Sequence, residues 1–90
     1  MLQFINKDEL YMEWTKMYPE GFVANSFKAP APSYLMLHKA KCYTITELKG
    51  NGVMFTGEYS KTCSHDLDEL VNWAKEEIGG ELRRCQKCFK

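Results

Sequence analysis

Four cysteines and two histidines carry the clearest capacity for chemistry in this sequence. Cys85-Gln86-Lys87-Cys88 is a CxxC pair, a spacing that lets two thiolates bind one ion from a tight turn. Completing a tetrahedral site needs partners from elsewhere: Cys42, Cys63, His38 or His65, all at or near predicted strand ends, where the backbone can turn. The simplest set is Cys42, Cys63, Cys85 and Cys88; His38 replacing one of them gives three thiolates and an imidazole. Using His38 together with Cys42 meets a geometric objection. In an uninterrupted strand they stand about 13 Å apart, so a bend at Lys39 to Lys41 is required. The cofactor these residues imply is zinc, in a closed four-ligand site that ties the C-terminal tail to a sheet and does not activate water.

Other uses of the same residues are weaker. A redox CxxC places its first cysteine at a helix N-terminus, where the dipole favours the thiolate, yet only Phe89 and Lys90 follow this pair. Cys42 and Cys63 read equally well as buried, reduced thiols, since cysteine is among the most buried residue types. Cys63 and His65 before a helix suggest a nucleophile and its base, but neighbouring Asp66 opposes a thiolate and no glycine motif supplies an oxyanion site. His38, ending an apolar strand, reads as a structural histidine before it reads as a base. Trp14 and Trp73 fall on amphipathic helices, where packing explains them.

The elements that must position these groups follow from the pattern. Asn6 with Glu9 reads as a capping pair, and Leu10, Trp14 and Met17 recur at helical spacing, predicting a helix over Lys7 to Tyr18 that Pro19 and Gly21 end. Phe22 to Ala24 predicts a short strand entering an irregular loop, Phe27 to Ser33, broken by Pro30 and Pro32. Tyr34 to His38, Lys41 to Glu47 and Val53 to Tyr59 read as strands, with Asn51-Gly52 a tight hairpin between the last two. Asp66 with Glu69 opens a second helix, whose stripe is Leu67, Leu70, Val71, Ala74 and Ile78; Gly79 and Gly80 close it before an irregular tail. The expected fold is α+β: one domain over 1–90, with a small, mainly antiparallel sheet of three to four strands packed by an N-terminal and a C-terminal helix.

Composition bounds the function. A chain of 90 residues with 44% hydrophobic residues supports one thin core, a size at which a metal or disulfide staple is common. Met1 to Glu9 has neither the basic start nor the apolar run of a secretory signal, and no apolar stretch is long enough for a membrane span. The expected setting is therefore the reducing cytoplasm, where disulfides are the lesser explanation for four cysteines. Formal net charge is zero but uneven: Asp66 to Glu81 holds six acids against Lys75, while the middle and the C-terminus are basic. Asn25, Lys28, Tyr34, Lys39 and Lys41 mix amide, cation and aromatic groups, the types that grip phosphates and stack bases, and form the candidate partner surface for nucleic acid or protein. An acidic helix face reads first as a plain solvated surface, and neutrality weakens the nucleic-acid reading.

The run Gly21-Phe22-Val23-Ala24-Asn25-Ser26, then Pro32-Ser33-Tyr34-Leu35-Met36-Leu37-His38-Lys39-Ala40-Lys41-Cys42, with Trp73-Ala74 and the Cys85 to Cys88 pair, resembles a poorly characterised set of small bacterial proteins and domains. That resemblance covers roughly Gly21 to Cys88 and leaves out the first helix. It implies a module that stands free or is fused to larger proteins, in a setting of DNA handling or defence, with Asn25, Tyr34, His38 and Cys42 as one patch. It carries no established activity. The expectation is a non-enzymatic bacterial binding module, zinc-stabilised; the runner-up is a small hydrolase or nuclease accessory using His38 with a cysteine.

Overall fold

The computed structural model describes residues 1–47 and 55–89. The chain runs β1 (Leu2–Phe4), α1 (Asp8–Met17), β2 (Phe22–Ala31), β3 (Tyr34–Lys39), a 3-10 turn (Tyr43–Ile45), β4 (Tyr59–Ser64), α2 (Leu67–Trp73) extended by a π-helical turn (Ala74–Ile78), and β5 (Arg83–Arg84). These strands form one five-stranded sheet in the order β1-β4-β2-β3-β5. All pairings are antiparallel except β3 with β5, so the sheet is mixed. The α+β class holds; the sequence pattern missed all of β4 but Tyr59, and missed two further strands, β1 and β5, altogether. Both are very short: β1 has three residues and β5 two, too few to show alternation.

Strand alternation sorts the sheet into two faces. Val23 lies opposite both His38 and Cys63 in register, and Asn25 opposite Met36 and Lys61. This face meets α1 in a core of Phe4, Tyr11, Trp14, Val23, Ile45 and Cys63. The opposite face carries Ala24 and Leu37 beneath Leu70 of α2, with Phe22, Trp73 and Phe89 packed around them. Complete burial of a side chain such as Leu70 is worth about 1.5–3 kcal/mol.

Several expected features differ, each for a local reason. The stripe of α1 is Tyr11, Trp14 and Thr15; Leu10 and Met17 are exposed. Tyr11 wins the buried position because its hydroxyl donates to the Ile45 carbonyl at 2.6 Å, giving the phenol a partner inside. Asn6 does not cap α1: it adopts φ +53°, and Lys7 stands at the N-cap without a side-chain bond. Asp8 instead accepts from the Phe55 and Thr56 amides, each at 2.8 Å, and from the Thr56 hydroxyl, which ties the helix start to the segment before β4. Burial raises the Asp8 pKa, but these three donors and Lys61 outweigh it, and the net shift is downward.

The segment Phe27 to Ser33, expected as loop, belongs largely to β2. Pairing with β3 shifts there, with five steps from Ser26 to Ala31 against one from Leu35 to Tyr34. Pro30 is tolerated because β2 has left β4 by that point: its last β4 partner is at Phe27. The strand expected over Lys41 to Glu47 is a bend and a 3-10 turn. The Asn51-Gly52 hairpin lies outside the described residues, and Phe55 to Glu58 is a run of bends before β4 begins at Tyr59. At α2 the pattern reads correctly: Asp66 accepts from the Asp68 amide at 3.0 Å, and Gly79 ends the helix at φ +82°, a left-handed conformation that favours glycine. Val71 of the expected stripe is nevertheless exposed.

Candidate metal centre

The bend that the His38–Cys42 pairing requires is present. Strand β3 stops at Lys39, and the Cys42 amide donates back to the Lys39 carbonyl at 2.9 Å, closing a tight turn. The 3-10 turn follows immediately, and the Thr46 hydroxyl donates to the Cys42 carbonyl at 2.9 Å. Cys42 thereby returns toward His38. Strand β5 brings the CxxC pair to the same place: the Cys85 amide donates to the Leu37 carbonyl at 2.9 Å, and the Phe89 amide to the Cys85 carbonyl at 3.0 Å, so the motif forms one closed turn.

His38, Cys42, Cys85 and Cys88 consequently offer ligand atoms that all lie within 4.8 Å of one another. Three are buried and Cys88 is half-buried. The Cys42 and Cys85 sulfurs are 3.9 Å apart. Two thiolates about 2.3 Å from one ion at the tetrahedral angle stand about 3.8 Å apart, so this edge already fits. The widest separation must close by about 1 Å to reach the same value. All four cysteines are free thiols. The four groups could hold a metal ion.

The surroundings act on the Cys85 and Cys88 thiols in opposite directions. The Lys39 amide approaches Cys88 Sγ, and the Lys87 amide Cys85 Sγ, both at 3.4 Å. For Cys85, burial pushes the thiol pKa up, yet the Lys87 and Cys88 amides and bonds from Cys42 and Cys88 bring it below the ordinary value. Cys88 is pushed up to about 11, first by burial and then by the neighbouring Cys42 and Cys85. Burial, with Lys61 adding repulsion, holds His38 at about 4, so the imidazole is neutral, the form that ligates. The Thr44 hydroxyl lies 3.0 Å from Cys42 Sγ and 3.4 Å from His38 Nδ1, where it can orient the ring.

The structure does not bring Cys63 into this group. It sits on β4, wholly buried against the α1 side of the sheet, with its thiol pushed up to about 12 by burial. Its register partner Val23 lies between it and His38. His65 is exposed and its ring stacks on Tyr18, 6.1 Å between centroids.

The expected partner residues divide between faces. The Asn25 amide donates to the Tyr34 hydroxyl at 2.9 Å, and these two share with Met36, His38, Thr44 and Gln86 a depression of about 390 Å³ beside the cysteine cluster. Lys39 lies on the other face, its amine 5.3 Å from the Phe89 ring centroid. Lys41 is exposed and pairs with Glu20 at 3.4 Å, and Lys28 is exposed on the outer part of β2. A larger depression, about 510 Å³, runs along α1 past Asp8, Glu13 and Phe55, away from the cysteines.

Sequence reasoning passed over Lys61. Its ammonium is buried, donating to Asn25 Oδ1 at 2.7 Å and to the Phe55 carbonyl. The alternation of Tyr59 to Ser64 puts Lys61 on the Cys63 face and could have flagged it. Burial draws its pKa down to about 8, against attraction from Asp8 and Cys63. No family model matches the chain, and no curated protein or solved structure is found to be similar to it. Among the described residues no helix is long and apolar enough to cross a membrane.

Proposed function

We propose that this chain is a small binding module of the bacterial cytoplasm, held together by one zinc ion and working through its surface, with nucleic acid or another protein as partner. The observation that carries the metal assignment is the convergence of His38, Cys42, Cys85 and Cys88 within 4.8 Å from three separate segments. Three thiolates and an imidazole form a soft, tetrahedral donor set that suits zinc. Four protein ligands leave no position for a water or substrate, so an ion here is structural. Its role is to fasten β5 and the CxxC turn to the end of β3, where two backbone pairings in register are otherwise a slender tether.

Native mass spectrometry with metal analysis of reduced protein tests the assignment. One zinc per chain is expected, lost in Cys85→Ser and in His38→Ala and kept in Cys63→Ala. Metal retained by the first two variants, or absent from the unsubstituted protein after zinc is supplied, would remove the proposal. With the ion bound, His38 and Cys42 are both engaged as ligands, so the thiol should resist alkylation until a chelator is added.

A further inference from the structure

Three of the four converging ligand residues are thiols, and one pair of them is placed to bond. The Cys42 and Cys85 sulfurs lie 3.9 Å apart, and both residues belong to the same buried cluster as Val23 and Ala40. A disulfide measures about 2.05 Å, so a movement of about 2 Å shared between the two side chains joins them. Cys88 Sγ is held by a different donor, the Lys39 amide at 3.4 Å. Cys85 and His38 also line the depression of about 390 Å³ that Asn25, Tyr34 and Thr44 border, which gives a small solute a route to that cysteine from solvent. Cys63, wholly buried on β4 across Val23, has no part in this group.

Topology makes the choice of pair consequential. A bond between Cys85 and Cys88 would close only the turn that the Phe89 amide and Cys85 carbonyl already close, leaving β5 on its two register pairs with β3. A bond between Cys42 and Cys85 spans 43 positions and joins the same two segments as the metal does. Oxidation of this pair therefore exchanges one fastening for another. The fold stays closed while the ion loses two of its four ligands.

We infer that the metal centre is a redox gate: hydrogen peroxide converts Cys42 and Cys85 to a disulfide and discharges the zinc without unfolding the chain. Discharge rests on the zinc reading above, whereas the disulfide depends only on the placement of the sulfurs. The Cys85 thiolate attacks one peroxide oxygen, the O–O bond breaks, and hydroxide leaves, giving a sulfenic acid. The Cys42 sulfur then attacks Cys85 Sγ, the S–S bond forms, the S–O bond breaks, and a second hydroxide leaves. Two thiolates thus give two electrons to the peroxide, which with two solvent protons becomes two waters. His38 and Cys88 alone are too few donors to retain a tetrahedral ion, and half-buried Cys88 is left as a free thiol.

The test treats the full chain, reduced and zinc-loaded or reduced and metal-free, with hydrogen peroxide, blocks the remaining thiols by alkylation and maps the linked peptides. A chromogenic chelator counts released zinc. A Cys42–Cys85 link within one chain is expected in both arms, with one zinc released per link, Cys88 alkylated, and zinc binding restored by dithiothreitol. The oxidised, metal-free protein should melt at least about 10 °C above the reduced, chelated one. Cys88→Ser should still form the link and Cys42→Ser should not. A link to Cys88 or between chains, ligand sulfurs oxidised without any link, zinc retained beside the disulfide, or an oxidised protein melting as low as the chelated one would each overturn the inference. A chain that takes up no zinc overturns the metal reading and the gate with it; the link mapped in the metal-free arm separates that failure from a wrong pair of thiols.

Discussion

Removing the metal should cost this fold a large part of its stability, and the amount can be worked from its connectivity. Cys42 and Cys85, 3.9 Å apart at sulfur, are separated by 43 positions in sequence. An ion held by both closes that loop in the unfolded chain as a covalent link would, worth about 4 kcal/mol by loop-closure entropy. A domain of this size is stable by roughly 5–13 kcal/mol in total. Each kcal/mol moves the midpoint by about 4–8 °C, so stripping the ion should lower Tm by about 15–30 °C. Circular dichroism melts of zinc-loaded and chelated protein read this directly. Hydrogen exchange locates it: the Cys85 amide, bonded to the Leu37 carbonyl at 2.9 Å, should lose protection first, while the β2–β4 amides keep theirs. A chelated protein melting within about 3 °C of the loaded one, with the Cys85 amide still protected, would refute the cross-link reasoning.

Three further outcomes are expected. Lys61, with a folded pKa of about 8 against an ordinary 10.5, is neutral in the fold while still protonated in the unfolded chain across that window. The unfolded state then binds more protons, so between pH 8 and 10.5 unsubstituted protein should gain on Lys61→Met by up to about 3 kcal/mol in urea denaturation; a gap constant with pH would count against a buried ammonium. Asp8→Ala removes the acceptor of three bonds and should cost about 1–3 kcal/mol at neutral pH. Because the folded pKa of Asp8 is depressed, that cost should be full above 3.8 and fade as pH falls below it, which acid-titrated melts can follow. Gly21→Ala would set a Cβ 2.7 Å from Trp14 Cη2 and 3.1 Å from the Tyr18 carbonyl, and should cost about 1–3 kcal/mol, visible as a lower urea midpoint with an unchanged slope.

The sequence by itself determined the α+β class, both helices to within a residue or two at most ends, and the CxxC pair as half of a candidate metal site. These are local features: 3.6-residue periodicity, the Asp66 cap, the left-handed Gly79 and a two-residue spacing between thiols all lie within a few positions of one another. Tertiary structure decided the rest. Whether Cys63 or His38 joined Cys42 could not be read from types, because both are strand residues near a plausible bend; the choice fell to the turn after Lys39 and to sheet order, which puts β5 beside β3 and leaves Cys63 across Val23 on β4. Strands of two and three residues exist only through the neighbours that pair with them, so β5, which carries the CxxC turn to its partners, had no signature of its own. The same holds for the aromatic end of the sheet: Phe27, Tyr34 and Tyr59 come from three strands, and only antiparallel register brings their rings together. Long-range pairing is what converts these scattered residues into sites.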